Sequence, residues 1–324
     1  MPPELGVLLG LVGSAPSIAV IDIGSNSIKS LVAIRDERGG ISSRLMETLD
    51  ARISAGIGQT RPRLSEDGMQ RGLAAIRELL QGVAALAPER TVLVATSAVR
   101  DAANGTEFAE RIRAATGYEL RILSGEDEAN LIGCGLTADP ELAGLQDFYV
   151  FDLGGGSLEC LVFRARRVEQ AISLPLGCVR LAERHAGNLE APFSERQRIE
   201  ITAACRETFA KSGFRFSLPA EAGVVFAGGT VTTVRAIIGE KSGGPLSETS
   251  SVISVAAVRA MLDVIGAQSL ASRQQIPGLP AARADVFPTA LATVLAVAEI
   301  GRFSFFLHSS YNLRHGLAAE LLNG

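Results

Sequence analysis

The sequence contains no tryptophan and only three tyrosines, and aromatic residues make up 5% of its 324 residues. It therefore offers little surface on which nucleobases could stack. Lysine is almost as scarce: of 31 basic residues only Lys29, Lys211 and Lys241 are lysines. That imbalance reads mainly as genome composition, although arginine also suits bidentate grips on phosphate. The four cysteines (Cys134, Cys160, Cys178, Cys205) show no C-x-x-C spacing, and His185, His308 and His315 form no cluster. No zinc site is expected, and free cysteines in apolar runs suggest a reducing compartment. No apolar run is long enough to span a bilayer. Residues 1–16 are apolar from Leu5 to Val12 but carry Glu4 and no basic residue. That is not the pattern of a signal peptide, so an N-terminal extension and a cytoplasmic location are expected. With a net charge of −4, the chain is no general nucleic-acid binder.

A hydrophobic content of 47% with 20% charged residues supports a packed core, and the length suits one large domain or two ordinary ones. Short β-branched runs alternate with longer helical patterns. Candidate strands are 18–21, 91–95, 148–151, 158–163 and 224–227. Candidate helices are 66–80, 108–116, 125–136, 195–211, 231–238, 255–266 and 286–302, with loops over 239–250 and 271–280. The class is α/β.

An internal repeat organises the chain. Residues 18–34 read IAVIDIGSNSIKSLVAI and residues 149–163 read YVFDLGGGSLECLVF. Asp22, Gly24 and Ser27 align with Asp152, Gly154 and Ser157 at a constant offset of 130 residues. Each copy reads as a β-hairpin with a tight turn of small residues, and the pair implies two related domains sharing a cleft. Turns of this kind expose backbone N–H groups that bind phosphate. Ser25, Asn26, Ser27 and Ser157 add side-chain donors. Asp22 and Asp152 would repel a bound phosphate unless a hard cation lay between, which implies Mg²⁺.

Three further segments belong to the same chemistry. The stretch 224–230 (VVFAGGT) places Gly228, Gly229 and Thr230 between a strand and a helix, another phosphate-friendly turn. The stretch 93–105 (LVATSAVRDAANG) places Arg100 near the carboxyl end of a strand, where it could fork onto phosphate. In 123–136 (LSGEDEANLIGCGL), Ser124 with Asp127 fits a capping box. That puts Glu126, Asp127 and Glu128 in a first helical turn, where acids favour the dipole and one could serve as a general base. Glu159 follows the second turn. Its counterpart in the first repeat is Lys29, so the two halves are chemically unequal. The run 164–167 (RARR) reads as a solvated loop between strands or as an extension of a polyanion track.

The duplicated Asp-x-Gly hairpins resemble the phosphate loops of the acetate and sugar kinase, Hsp70 and actin superfamily. Within it, the set IDIGSNSIKSLV, ATSAVRDAAN, LSGEDEANLI, FDLGGGSLE, LPLGCVRL, AGGTVTT and RADVF resembles the exopolyphosphatase and guanosine pentaphosphate phosphohydrolase family, from about Ser17 to the C-terminus. The resemblance implies two ribonuclease-H-like (actin-like ATPase) domains around a cleft. Their bounds would be residues 17–135 and 136–305, with 306–324 packing back on the first. It also implies hydrolysis of a terminal phosphoanhydride with release of orthophosphate.

The general base of that family matches Glu128, and its metal and phosphate carboxylates match Asp22, Asp152 and Glu159. Its phosphate-binding groups match Gly24, Ser25, Asn26, Ser27, Arg100, Gly154, Gly155, Gly156, Ser157, Gly228, Gly229 and Thr230. Mg²⁺ is the implied cofactor, with Mn²⁺ as a substitute. Polyphosphate or guanosine pentaphosphate (pppGpp) is the implied substrate, with neither nucleic acid nor membrane as partner. A homodimer is the assembly it suggests, although no interface is legible in the residues. Longer members carry an extra C-terminal helical region that helps bind long polymer, and this chain ends after the second core domain, which favours short or medium polyphosphate. His315 stands where many members have an acidic residue. The other readings are a pppGpp phosphohydrolase, a sensor that binds without hydrolysing, and a kinase of the same superfamily. The intact carboxylate set argues against the sensor, and the segment 124–129 argues against the kinase.

Overall fold

The computed structural model describes residues 16–37 and 39–323, so all but the last residue of the expected extension lies outside the described residues. The chain forms two mixed sheets of one plan. The first unit runs β1 (Ser17–Ile23), β2 (Ser27–Arg35), β3 (Ile41–Asp50), α1 (Glu66–Ala84), β4 (Arg90–Ala95), α2 (Ser97–Arg100), α3 (Gly105–Thr116), β5 (Leu120–Ile122) and α4 (Gly125–Thr137). The second runs β6 (Phe148–Leu153), β7 (Leu158–Arg164), β8 (Arg167–Leu174), α5 (Cys178–His185), α6 (Glu195–Ser212), β9 (Gly223–Ala227), α7 (Gly229–Ser242), β10 (Val252–Ser254), α8 (Val255–Gly266), α9 (Leu270–Arg273), α10 (Phe287–Gly301) and β11 (Phe305–His308). Helix α11 (Leu313–Asn323) closes the chain.

The sheet orders are β3-β2-β1-β4-β5 and β10-β11-β9-β6-β7-β8. In each, a three-stranded antiparallel meander is extended by strands parallel to its first strand. The second sheet adds β10 as an antiparallel edge. This is the ribonuclease-H-like arrangement in duplicate. Both meanders keep the same register: Asp22 faces Lys29, and Asp152 faces Glu159.

Alternation along the first strand of each unit feeds two separate cores. Ile18 and Val20, like Phe148 and Val150, face a core that lies between the sheets and is filled by α4 and α11. Ala19, Ile21 and Ile23, like Tyr149, Phe151 and Leu153, face the outer helices. The two central helices meet backbone to backbone. A methyl group on Gly316 would strike the Leu131 carbonyl, and one on Gly135 would strike the Asn312 carbonyl. Mid-helix glycine costs about 1 kcal/mol relative to alanine, and here it permits that close crossing. Helix α11 therefore rests on α4 and on β1 and β2. The strand before it, at 305–308, belongs to the second sheet, so the segment that returns to the first unit is shorter than residues 306–324.

Two other readings shift. Helix α7 runs to Ser242, inside the expected loop 239–250, and α9 occupies the start of the loop expected over 271–280. The RARR run is a tight hairpin turn with Ala165 and Arg166 at φ 48° and 58°. Arg166 is committed to the carbonyls of Leu142, Ala143, Leu145 and Thr137, and Arg164 pairs with Glu169. Neither is available to extend a polyanion track. Among the described residues no helix is long and apolar enough to cross a membrane.

Candidate active site

The carboxyl ends of β1, β4, β6 and β9 converge on one cleft between the two units, with about 880 Å³ of empty space. That is where open α/β sheets place ligands. The cleft wall includes Asp22, Gly24, Ser25, Asn26, Ser27, Glu128, Asp152, Gly154, Gly155, Ser157, Glu159, Gly228, Gly229 and Thr230. Most of the residues expected from sequence thus come together.

Two do not reach the wall. Gly156 turns inward, against Ser97 and Ile57. Arg100, expected to fork onto phosphate, stands behind Glu128. Its Nη1 donates to Glu128 Oε2 at 2.6 Å and to the Leu123 carbonyl at 3.3 Å. The nearby carboxylate holds the guanidinium because α2 is only one turn long and ends Arg100 beside the start of α4.

The two glycine turns touch. A methyl group on Gly155 would lie 2.8 Å from Ser25 Cβ, and Ser25 Oγ sits 3.3 Å from Ser97 Oγ. The third turn begins at Gly228, whose φ of 92° suits glycine and whose Cβ would lie 2.5 Å from Asp152 Oδ1. Glu128 is placed by the helix cap foreseen from sequence: Ser124 Oγ accepts from the Asp127 N–H at 3.0 Å. Glu159 accepts a 2.7 Å hydrogen bond from Ser173.

Burial raises every carboxyl group of the cleft above its ordinary range. Burial, then Asp22, pushes the Asp152 carboxyl up to about 6, against the pull of Lys29 and Arg314. Burial and Asp152 push Glu159 up to about 7. Glu128 rises well above the carboxylate range through burial and Glu159, with Arg100 opposing. Asp22 is raised by burial against Lys29 and Arg314. Burial, Arg314 and Arg283 pull Lys29 down to about 8. Four carboxyl groups in one pocket thus favour a cation.

The residues fit a hard divalent ion in one respect and limit it in another. Asp22 Oδ1 is buried without a hydrogen-bond partner, a free oxygen of the kind such an ion takes. Yet among the described residues no three Asp, Glu, His or Cys groups are gathered into a metal-holding set. Asp22, Asp152 and Glu159 therefore do not form a three-ligand cage. Mg²⁺ is commonly held by one or two carboxylates and completed by water and phosphate oxygens, which this pocket permits.

Several wall residues carried no role in the sequence reading. Arg283 reaches from the second unit to donate to Ser27 Oγ at 3.1 Å and lies over Gly229. Lys29, Thr96, Ser97, Cys178, Phe287 and Asn312 also line the cleft. Lys29 was visible as the partner of Glu159 in the repeat, and Arg283 stood inside the RADVF motif. The units are also clasped outside the cleft. Glu183 accepts from the N–H groups of Gly56 and Gly58 at 2.8 and 2.6 Å, and Arg52 makes a bidentate pair with Asp285.

Comparison with known proteins decides the lineage: residues 31–323 match the model of the Ppx/GppA phosphatase family. The chain belongs to that family. A guanosine-5'-triphosphate,3'-diphosphate pyrophosphatase of Aeromonas salmonicida is 28% identical over 312 residues, covering 95% of this chain and 60% of that protein. The chain thus spans about 60% of the length of that curated relative. An exopolyphosphatase-like protein of solved structure superposes with a TM-score of 0.84 at 25% identity, covering 94% of this chain and 97% of that one. The Aquifex aeolicus family member superposes at 0.75 with 25% identity, covering 95% and 98%.

Proposed function

We propose that this chain is a Mg²⁺-dependent exopolyphosphatase, removing the terminal phosphate of inorganic polyphosphate as orthophosphate. The observation that carries the reading is the meeting of two glycine turns, one from each unit, over Asp22 and Asp152, with Glu128 facing the same space. Phosphoryl transfer to water needs positioning and charge neutralisation more than covalent chemistry. The backbone N–H groups and hydroxyls of Ser25, Ser27 and Ser157 would cradle the terminal phosphates. Lys29 and Arg283 add positive charge. Asp22 and Asp152 would hold Mg²⁺, whose role is to neutralise the phosphate oxygens, and Glu159 would complete its water network. Arg100 occupies Glu128 Oε2, which leaves Oε1 to orient the attacking water and accept its proton. The two sheet-bearing units would act together as the two halves of the phosphatase.

A second reading is pppGpp phosphohydrolysis. It is favoured by the name of the Aeromonas relative. Orthophosphate release with Mg²⁺ from short polyphosphate, long polyphosphate and pppGpp, side by side, tests both. Faster turnover of polyphosphate supports the first reading, and faster turnover of the nucleotide moves the chain to the second. Binding without release from any of the three makes it a sensor.

A further inference from the structure

Behind the cleft wall, a line of charged groups connects the second glycine turn to Glu128. Arg180 projects from α5 and is 4% exposed. Its Nε donates to the Gly156 carbonyl at 2.7 Å and its Nη1 to the Ile57 carbonyl at 3.0 Å. Its Nη2 pairs with Asp101 Oδ2. The other oxygen of Asp101 lies 3.4 Å from Arg100 Nε. Arg100 in turn grips Glu128 and, at 3.5 Å, meets Ser173 Oγ, which donates to Glu159. One aspartate therefore stands between two guanidinium groups, and the second of them touches the arrangement of both cleft glutamates.

We propose that Asp101 and Arg180 are positioning residues that hold Arg100 in the rotamer that aims Glu128 into the cleft. This rests on the reading of Glu128 as the base. The argument is steric and electrostatic. Arg100 ends a four-residue helix and has many rotamers open to it. Contacts to Asp101 and Glu128 from different edges of one planar guanidinium leave it a single orientation. Without Asp101, Arg100 and Arg180 face each other as like charges, and Arg100 must swing away. Arg180 is fixed by the Gly156 carbonyl, so the position of the second turn is transmitted to the base. The Asp101 side chain remains 31% exposed, so its contribution is orientation rather than strong buried attraction.

The test is a double-mutant cycle on orthophosphate release from tripolyphosphate with Mg²⁺. Asp101→Ala is expected to lower kcat by about tenfold with KM nearly unchanged, since small misplacements of reacting groups carry penalties of this size or larger. In an Arg100→Ala background the same change is expected to cost less than about twofold, because the intermediary is gone. Arg180→Lys is expected to recover part of the loss seen in Arg180→Ala. A wild-type rate for Asp101→Ala, or an equal loss in both backgrounds, overturns the proposal. Asp101→Asn replaces the alanine variant if the latter does not fold. If the unmodified protein releases no phosphate from any substrate, the function reading fails by itself. A crystal structure of the Asp101 variant then decides this proposal: Arg100 detached from Glu128 supports it, and Arg100 still in place overturns it.

Discussion

The two glycine hairpins share one register and one offset, yet they are built for different work. In the first, Asp22 faces Lys29 and the turn carries Ser25 and Asn26. In the second, Asp152 faces Glu159 and the turn is Gly155-Gly156. The side chains of one turn occupy the space that the other leaves empty, since Ser25 Cβ and Oγ press against the positions where Gly155 and Gly156 would carry a Cβ. A duplicated hairpin that must meet its own copy across a cleft cannot keep bulk on both sides. The charge difference follows the same logic. An ammonium in one half offsets carboxylates in the other, where four acids in two units would otherwise repel.

The largest expected effect tests which half carries the chemistry. Glu128→Ala should lower orthophosphate release by about 10²–10⁴-fold while polyphosphate binding, followed by calorimetry, is kept. A retained wild-type rate would remove Glu128 as the base. Asp152→Asn should weaken the response to added Mg²⁺ together with activity, and an unchanged Mg²⁺ titration would take Asp152 out of the metal site.

Steric asymmetry of the turns is tested next by Gly155→Ala, which should destabilise the fold by about 1–3 kcal/mol in denaturant unfolding through overpacking. Adding Ser25→Gly should return part of that loss. If the double variant is no better than the single one, the interlocking account is wrong.

Each unit also has its own buried histidine. His308 sits in β11 of the second sheet and is held down to about 4 by burial and Arg235. His315 sits in α11 against the first unit and is held down to about 3 by burial and Arg314. Both pKa values lie below the unfolded value of about 6.5, so the unfolded chain binds more protons at mildly acid pH. Their stabilisation is complete above pH 6.5 and is lost as pH falls toward 4, at up to about 1.4 kcal/mol per pH unit for each. His315→Gln should therefore lose less stability than the unmodified chain between pH 6.5 and 4.5. Parallel curves would show that His315 already takes up a proton in the fold.

The smallest effect is expected at Gly154, where an added Cβ would meet nothing closer than 3.4 Å and no left-handed φ is required. Gly154→Ala should change the unfolding free energy by less than about 0.5 kcal/mol, in contrast to Gly155→Ala.

Much of this is legible in the sequence. The repeat exposed both hairpins because Asp, Gly and Ser at one spacing are local turn chemistry. The start of helix α4, with Glu126, Asp127 and Glu128 in its first turn, followed from Ser124 as a cap. The strands without a clear sequence signature are β3, β8 and the short β5, β10 and β11. Strand β3 is a half-exposed edge whose polar residues blur the alternation, and the turn before β8 uses Ala165 and Arg166 where glycine or asparagine would have marked a hairpin. Arg100 was recognised as a site residue but given to phosphate, because its pairing with Glu128 spans 28 positions.

By itself, the sequence determined the α/β class, the duplication and the three turns, since each is written in short-range spacing, whereas Glu128 and Glu159 are singled out by the family resemblance. Only the tertiary structure decided that the turns interlock, that Arg283 crosses to Ser27, that Arg100 pairs with Glu128, and that Lys29 stands among four acids. These are contacts between residues as many as 256 positions apart. They are selected by how two sheets pack around α4 and α11, and no local pattern in the chain encodes them.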